Sequence, residues 1–399
     1  MIRRLVPFIF LAFLIGNRFF SKLISVGPIY ISEVFIVLSV VYRIKLFLSA
    51  FKTNKFFVLF FLYFIFFAFF DYLSSEWTLF SLRRVAVFGY FIFPLIIFIY
   101  LNEISRMINK YFLFIVLIAV LLAVLSPAGY QSSMASQFLG VLFLVSVIKK
   151  MKLKSMVFSG GAFLLVVSGI LIGESVFRTP IVTIFSIVFI YLLLNRTATL
   201  AGFYQKNSIY MLLGLGFILF LYLGLVGDIL IGLSGLLNSE GLKDLGVYLG
   251  GELFTTRGTS SGTTGTRLLF WQLIIENNFS KVFVFLFGNG FEYGFLEVVA
   301  PEFLFRDKEL IEPHNSFIGI FFKSGIVGLL LCFIFIVLVF RSQAKVIGFT
   351  KAFPFLLGAL MFASFEVALE NPHGAALFWF ILLSPSIFSI GYSENFNNS

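Results

Sequence analysis

The sequence predicts an all-α polytopic membrane protein of about twelve spanning helices with one large loop on one side. Three observations predict it. The chain is 60% hydrophobic and only 12% charged, with a mean hydropathy of +1.05, far outside the range of soluble domains. Its apolar runs recur at bilayer length. Lys and Arg gather in alternate connections between those runs.

Composition also excludes other classes. Phe alone supplies 59 of 399 residues. A soluble chain would have to bury that area in one core, and single cores stop growing near ~250–300 residues. Lipid must cover the rest. The net charge of +10 would suit a nucleic-acid binder, but the cations lie in short connections, as positive-inside bias demands. The lone cysteine, Cys332, excludes an intrachain disulfide. With His314 and His373 as its two histidines, the chain lacks the usual ligand set of a structural zinc site.

A helix needs about 20 apolar residues to cross a bilayer. The candidate spans are 5–20, 29–42, 56–70, 85–101, 111–126, 132–148, 155–173, 180–194, 209–226, 316–340, 352–370 and 374–391. Residues 5–20 follow Arg3-Arg4 without a small-residue cleavage site, so they read as an uncleaved first helix.

With the N-terminus in the cytoplasm, the inner connections hold Arg3, Arg4, Arg43, Lys45, Lys52, Lys55, Arg106 and Lys110, then Lys149, Lys150, Lys152, Lys154, Arg196, Lys206, Arg341, Lys345 and Lys351. Glu103 and Glu394 are the acids on that side. This bias puts both termini inside. The chain then divides into 1–227 (spans), 228–315 (one large outer loop) and 316–399 (the last spans and a tail). Within the loop, the Thr/Ser/Gly-rich run 255–265 reads as a linker or a mobile lid. A helix is expected over Arg267–Asn277 and a shorter one over Val282–Phe287, together forming a helical cap on the outer face.

Ionisable groups at membrane depth earn a functional hypothesis. Arg178, Arg267 and His314 stand out on the outer face. Each also has an ordinary reading: Arg178 as an interfacial anchor beside Glu174, Arg267 as a solvated helix-surface residue, His314 as a polar group at a helix start. Arg257, Arg306 and Lys308 are further candidates for phosphate or acceptor contacts. Glu366, Glu370 and His373 gather at the last outer turn, either as a wall of the same cavity or as polar helix caps.

Local spacing adds a resemblance. His314-Asn315, nine residues, then Gly325-Ile326-Val327-Gly328 resembles the H[N/S/Q]-x9-G-x-x-G signature of the O-antigen ligase and polymerase family. Phe177-Arg178-Thr179-Pro180 resembles that family's Ser-Arg-Thr-type turn, with Phe177 where Ser is usual. Arg267 to Trp271 resembles its Arg-x-x-x-Trp segment, and Gly288-Asn289-Gly290 its Gly-x-Gly turn. The matches cover 173–328, in the family's order; the first half of the chain is similar only in hydropathy.

The resemblance implies a GT-C-like membrane glycosyltransferase of the bacterial inner membrane. Its members move glycan from undecaprenyl pyrophosphate at the periplasmic face, without a metal or other cofactor. It further implies catalytic roles for His314, Arg267 and Arg178. Substrate contacts would come from Arg178, Arg267, Arg257, Arg306, Asn315 and Trp271. Two arginines suit the leaving pyrophosphate, since guanidinium stays charged and grips phosphate oxygens bidentately. A neutral imidazole suits the attacking sugar hydroxyl. A variant puts His314 on the phosphates and makes Glu297, Glu302, Glu309 or Glu312 the base. The Phe-rich front half and the Pro313-His314-Asn315-Ser316-Phe317 context resemble the polymerase (Wzy-type) branch, which joins lipid-linked repeat units and works with a chain-length regulator. The alternatives are a ligase delivering glycan to lipid A-core, and a flippase for the same lipid-linked sugar. Flippases usually show two related halves, which this chain lacks.

Overall fold

The computed structural model describes residues 10, 11, 14, 25–26, 29–53, 55–125, 129–148, 151–167, 178–194, 260–301, 313–366 and 368–396. Apart from a two-residue antiparallel bridge of Ser25–Val26 with Ile29–Tyr30, these residues form helices and their connections. In chain order the first are α1 (Ile31–Tyr42), α2 (Ile44–Thr53), α3 (Lys55–Ser74), α4 (Leu79–Gly89), α5 (Phe93–Ile99), α6 (Leu101–Leu125), α7 (Gly129–Ile148), α8 (Leu153–Val167) and α9 (Arg178–Leu194). They are followed by α10 (Ser260–Ser280), α11 (Val282–Phe287), α12 (Phe295–Val299), α13 (Ser316–Ile347), α14 (Phe349–Phe365) and α15 (Pro372–Phe396).

Among the described residues, four helical stretches are long and apolar enough to cross a membrane: Lys55–Ser74, Ser81–Ile99, Leu101–Val124 and Ser316–Ile347. Shorter apolar helices cover Met134–Ile148, Leu153–Val167, Thr183–Leu192, Phe349–Phe365 and Pro372–Phe388. The expected span 209–226 and most of 5–20 lie outside the described residues.

Three stretches differ from the sequence expectation. Residues 44–53, read as a basic connection, form α2, with Phe47 fully buried and Lys45 and Lys52 exposed. Its cations obscured an amphipathic face. Residues 102–110, also read as a connection, belong to α6, which kinks at Tyr111 (φ −113°, ψ 21°). Glu103 in this stretch meets Arg43 at 2.8 Å, and Arg43 also donates to the Ile99 carbonyl at 2.6 Å and covers the Tyr100 ring. One of the two acids on the basic side is therefore matched by a cation from that side. Finally, Ser260–Gly265 of the presumed linker is already helical as the start of α10.

α15 runs through the middle of the bundle and touches α5, α6, α7, α13 and α14. Ala375 to Leu383 are each at most 1% exposed, as expected of a helix that is apolar all round. Around Trp379 the core is aromatic: Phe91 lies 5.6 Å from it and 5.3 Å from Phe335, which meets Phe60 at 4.7 Å. Tilted and edge-on pairs of this kind add to area burial.

Candidate functional site

The site's frame is a break in α13. At Gly325 the backbone turns to φ 61°, ψ −164°, separating Ser316–Ser324 from Ile326–Ile347. A break in an α-helix strands the carbonyls of the preceding turn, which must find other donors when buried. The loop supplies them. Asn278 Nδ2 donates to the Phe321 carbonyl at 2.7 Å. The Asn289 backbone N–H donates to the Phe322 carbonyl at 2.8 Å, and that of Gly290 to the Lys323 carbonyl at 3.1 Å. Asn277 donates to Asn289 Oδ1 at 3.2 Å, and Asn289 to Asn278 Oδ1 at 3.0 Å, closing an asparagine network.

Two glycines make this seat close. A Cβ on Gly325 would run into the Leu286 carbonyl, and one on Gly288 (φ 79°) into the Lys323 carbonyl. Backbone lies directly on backbone, and both positions need the left-handed region that glycine enters freely. The first glycine of the His-Asn-x9-Gly-x-x-Gly spacing is thus the helix break itself, and the Gly-x-Gly turn is its partner.

A second clamp ties the next loop residues to α3 and α4. Asp71 Oδ2 accepts from the Phe291 N–H and from Trp77 Nε1, both at 2.9 Å. Arg84, 7% exposed, donates to the Phe291 carbonyl at 3.1 Å and to that of Glu292, and its other nitrogen lies 3.6 Å from Glu297. Glu297 also accepts from the Gly294 N–H at 3.0 Å, so its carboxylate is engaged in local structure. Nearby, hydrogen bonding to Glu292, then the charges of Glu292, Glu76 and Glu297, raise the pKa of the Tyr293 phenol.

At the top of α13, His314 holds φ 54°, a conformation that costs a non-glycine residue on the order of 1 kcal/mol. Asn315 follows as the N-cap, its Oδ1 accepting from Phe317 N at 3.0 Å and Ile318 N at 3.1 Å. Ser316 is fully buried. Its hydroxyl donates to Glu370 Oε2 at 2.5 Å and accepts from the N–H groups of Ala368 and Leu369 at 2.9 Å each. The last turn therefore packs onto the His314 segment, bringing buried Glu366, Glu370 and His373 (6%, 4% and 3% exposed) to this end. Among the described residues, no three His, Cys, Asp or Glu side chains are grouped to hold a metal ion.

Trp271 joins the loop helix to the same point. Its Nε1–H donates to the Pro313 carbonyl at 2.7 Å, and Arg267 lies one turn earlier on α10. Arg178 is the first residue of α9. A Cβ on Gly358 of α14 would meet Ile187 and Thr183 of α9, and Tyr191 lines a cavity with Lys351 and Phe355. The two helices therefore run antiparallel. Arg178 then lies about 7 Å beyond Thr183 at 1.5 Å per residue, near the level of Ala363 and so at the Glu366 end. The side chains of Arg178 and Arg267 lie outside the described residues, as do all atoms of Arg257, Arg306, Lys308, Glu302, Glu309 and Glu312.

Sequence reasoning overlooked Asp71, Arg84 and Lys323. Lys323 was legible as a lone cation in an apolar run, and it is only 3% exposed, two residues before the break at Gly325. The loop partners of Asp71 and Arg84 lie more than 200 residues away, so no local pattern marks them.

Fold and apolar helices together define an α-helical membrane protein. No family model, curated protein or solved structure matches the chain.

Proposed function

We propose that the chain is an O-antigen polymerase. It joins undecaprenyl-pyrophosphate-linked repeat units into polysaccharide at the periplasmic face of the bacterial inner membrane, with both termini cytoplasmic and a GT-C-like arrangement of about twelve spans. Arg178 and Arg267 grip the donor pyrophosphate, and His314 orients or deprotonates the acceptor hydroxyl.

The observation that carries this reading is the Trp271–Pro313 hydrogen bond. It fixes the helix bearing Arg267 against the residue preceding His314, although the two lie far apart in sequence. The shared end of α9, α13 and α15 adds support, because helix N-termini favour phosphate. Fixed cations in a partly dry site stabilise the leaving pyrophosphate; one preorganised donor contributes about 3 kcal/mol in comparable sites. Buried Glu370, bonded to Ser316, now stands beside the loop glutamates as a candidate base.

The test is glycan chain length in cells carrying Arg178→Ala, Arg267→Ala or His314→Ala at matched expression. Loss of long chains is expected; normal long-chain product from all three ends the assignment. Purified protein in liposomes given only lipid-linked repeats should build polymer. A strict requirement for lipid A-core would make it a ligase instead.

A further inference from the structure

We infer that α11, with the end of α10, is a wedge inserted into the membrane leaflet at the His314 end, its outer surface covered by acyl chains. The inference rests on the chain being a membrane protein and is independent of the catalytic reading.

Depth comes from two helices. A 30 Å hydrocarbon core corresponds to about 20 residues at 1.5 Å each. Counted from Arg341, the unbroken half of α13 reaches Gly325 after about 24 Å, just short of that thickness; counted from Lys55, the boundary on α3 falls near Ser74. The loop is seated at that level on both. Gly290 bonds the Lys323 carbonyl, Phe291 bonds Asp71, and the backbone of Leu286 and Phe287 lies against Gly325. α11 is therefore not a cap raised above the bundle. It lies alongside α13 at the headgroup–acyl boundary.

Its chemistry fits that place. α11 has no fully buried residue. The Phe285 ring lies 6.2 Å from that of Phe321, and the Leu286 backbone lies against Gly325 of α13. Phe279, Val282 and Phe283 are nonetheless 65%, 77% and 70% exposed, although the Phe279 ring lies 6.2 Å from that of Phe321. Three neighbouring large apolar side chains this exposed form a patch that water does not suit. Lys281 stands among them, also exposed, able to extend its ammonium to phosphate headgroups while its stem stays in the apolar layer. Leu330 and Ile334 of α13 and Phe69 and Phe70 of α3 are likewise exposed large apolar side chains. Amphipathic segments of this kind sit about 5–10 Å into the headgroup–acyl region.

The test places a nitroxide label on Phe283→Cys or Val282→Cys in full-length Cys332→Ser protein in liposomes, and on exposed Glu76→Cys for comparison. Collision rates with oxygen, which concentrates in the bilayer, and with a water-soluble nickel chelate report depth. Oxygen collisions exceeding chelate collisions several-fold at 283, with the reverse at 76, are expected. Chelate access at 283 equal to that at 76 overturns the inference. If one of the two wedge variants does not fold, the other decides by the same criterion.

Discussion

The two halves of α13 are held in different ways. From Ser316 to Ser324 the helix is tied by named polar groups: Ser316 to Glu370 and the Ala368 and Leu369 amides, Asn278 and Asn289 to the freed carbonyls. From Ile326 onward it alternates buried Cys332, Phe335 and Ile336 with exposed Leu330, Ile334 and Val337, and among the described residues it is held chiefly by packing. Packing tolerates small shifts at small cost, whereas a hydrogen-bonded seat allows one register. The half that carries the His314 end is the half with one register.

The largest effect should come from the hinge between the halves. Gly325→Ala forces a side chain into the Leu286 carbonyl at a φ that alanine avoids; a loss of about 4 kcal/mol is expected in denaturation in detergent micelles. Asn278→Ala leaves the buried Phe321 carbonyl and Asn289 short of a partner and should cost about 2 kcal/mol. Asp71→Ala should cost a similar ~2 kcal/mol by releasing the Phe291 amide, with Asp71→Asn recovering part of it through the remaining oxygen. In the packed half, Ile336→Val should cost only about 1 kcal/mol. The smallest stability effect is expected of Trp271→Phe, about 0.5–1 kcal/mol for one hydrogen bond. On the proposed function this variant nonetheless shortens the glycan more than Ile336→Val does. Equal effects on chain length would separate the Trp271 contact from activity.

Much of this frame was legible in the sequence. Bilayer-length apolar runs marked α3, α13 and the central α15 because nothing else explains so much uncovered Phe and Leu. Val282–Phe287 was legible as a helix too short to span. The histidine–glycine spacing pointed to both ends of the hydrogen-bonded half. What stayed hidden was long-range or masked by charge. Nothing near Asp71 or Arg84 announces partners at Phe291 and Glu292. α2 was concealed by its lysines, and the course of the loop along α13 follows from Gly288 meeting Lys323 and Gly325 meeting Leu286, which sequence order does not reveal. Asn315, expected to contact substrate, has its side-chain oxygen engaged in capping α13.

Amide hydrogen exchange across α13 in Asn278→Ala protein tests the central claim most directly. If the loop's seat fixes the His314 end, peptides covering Pro313–Ser324 lose protection while those covering Ile326–Ile347 keep it. Unchanged protection in the first segment, or equal loss in both, would contradict the account.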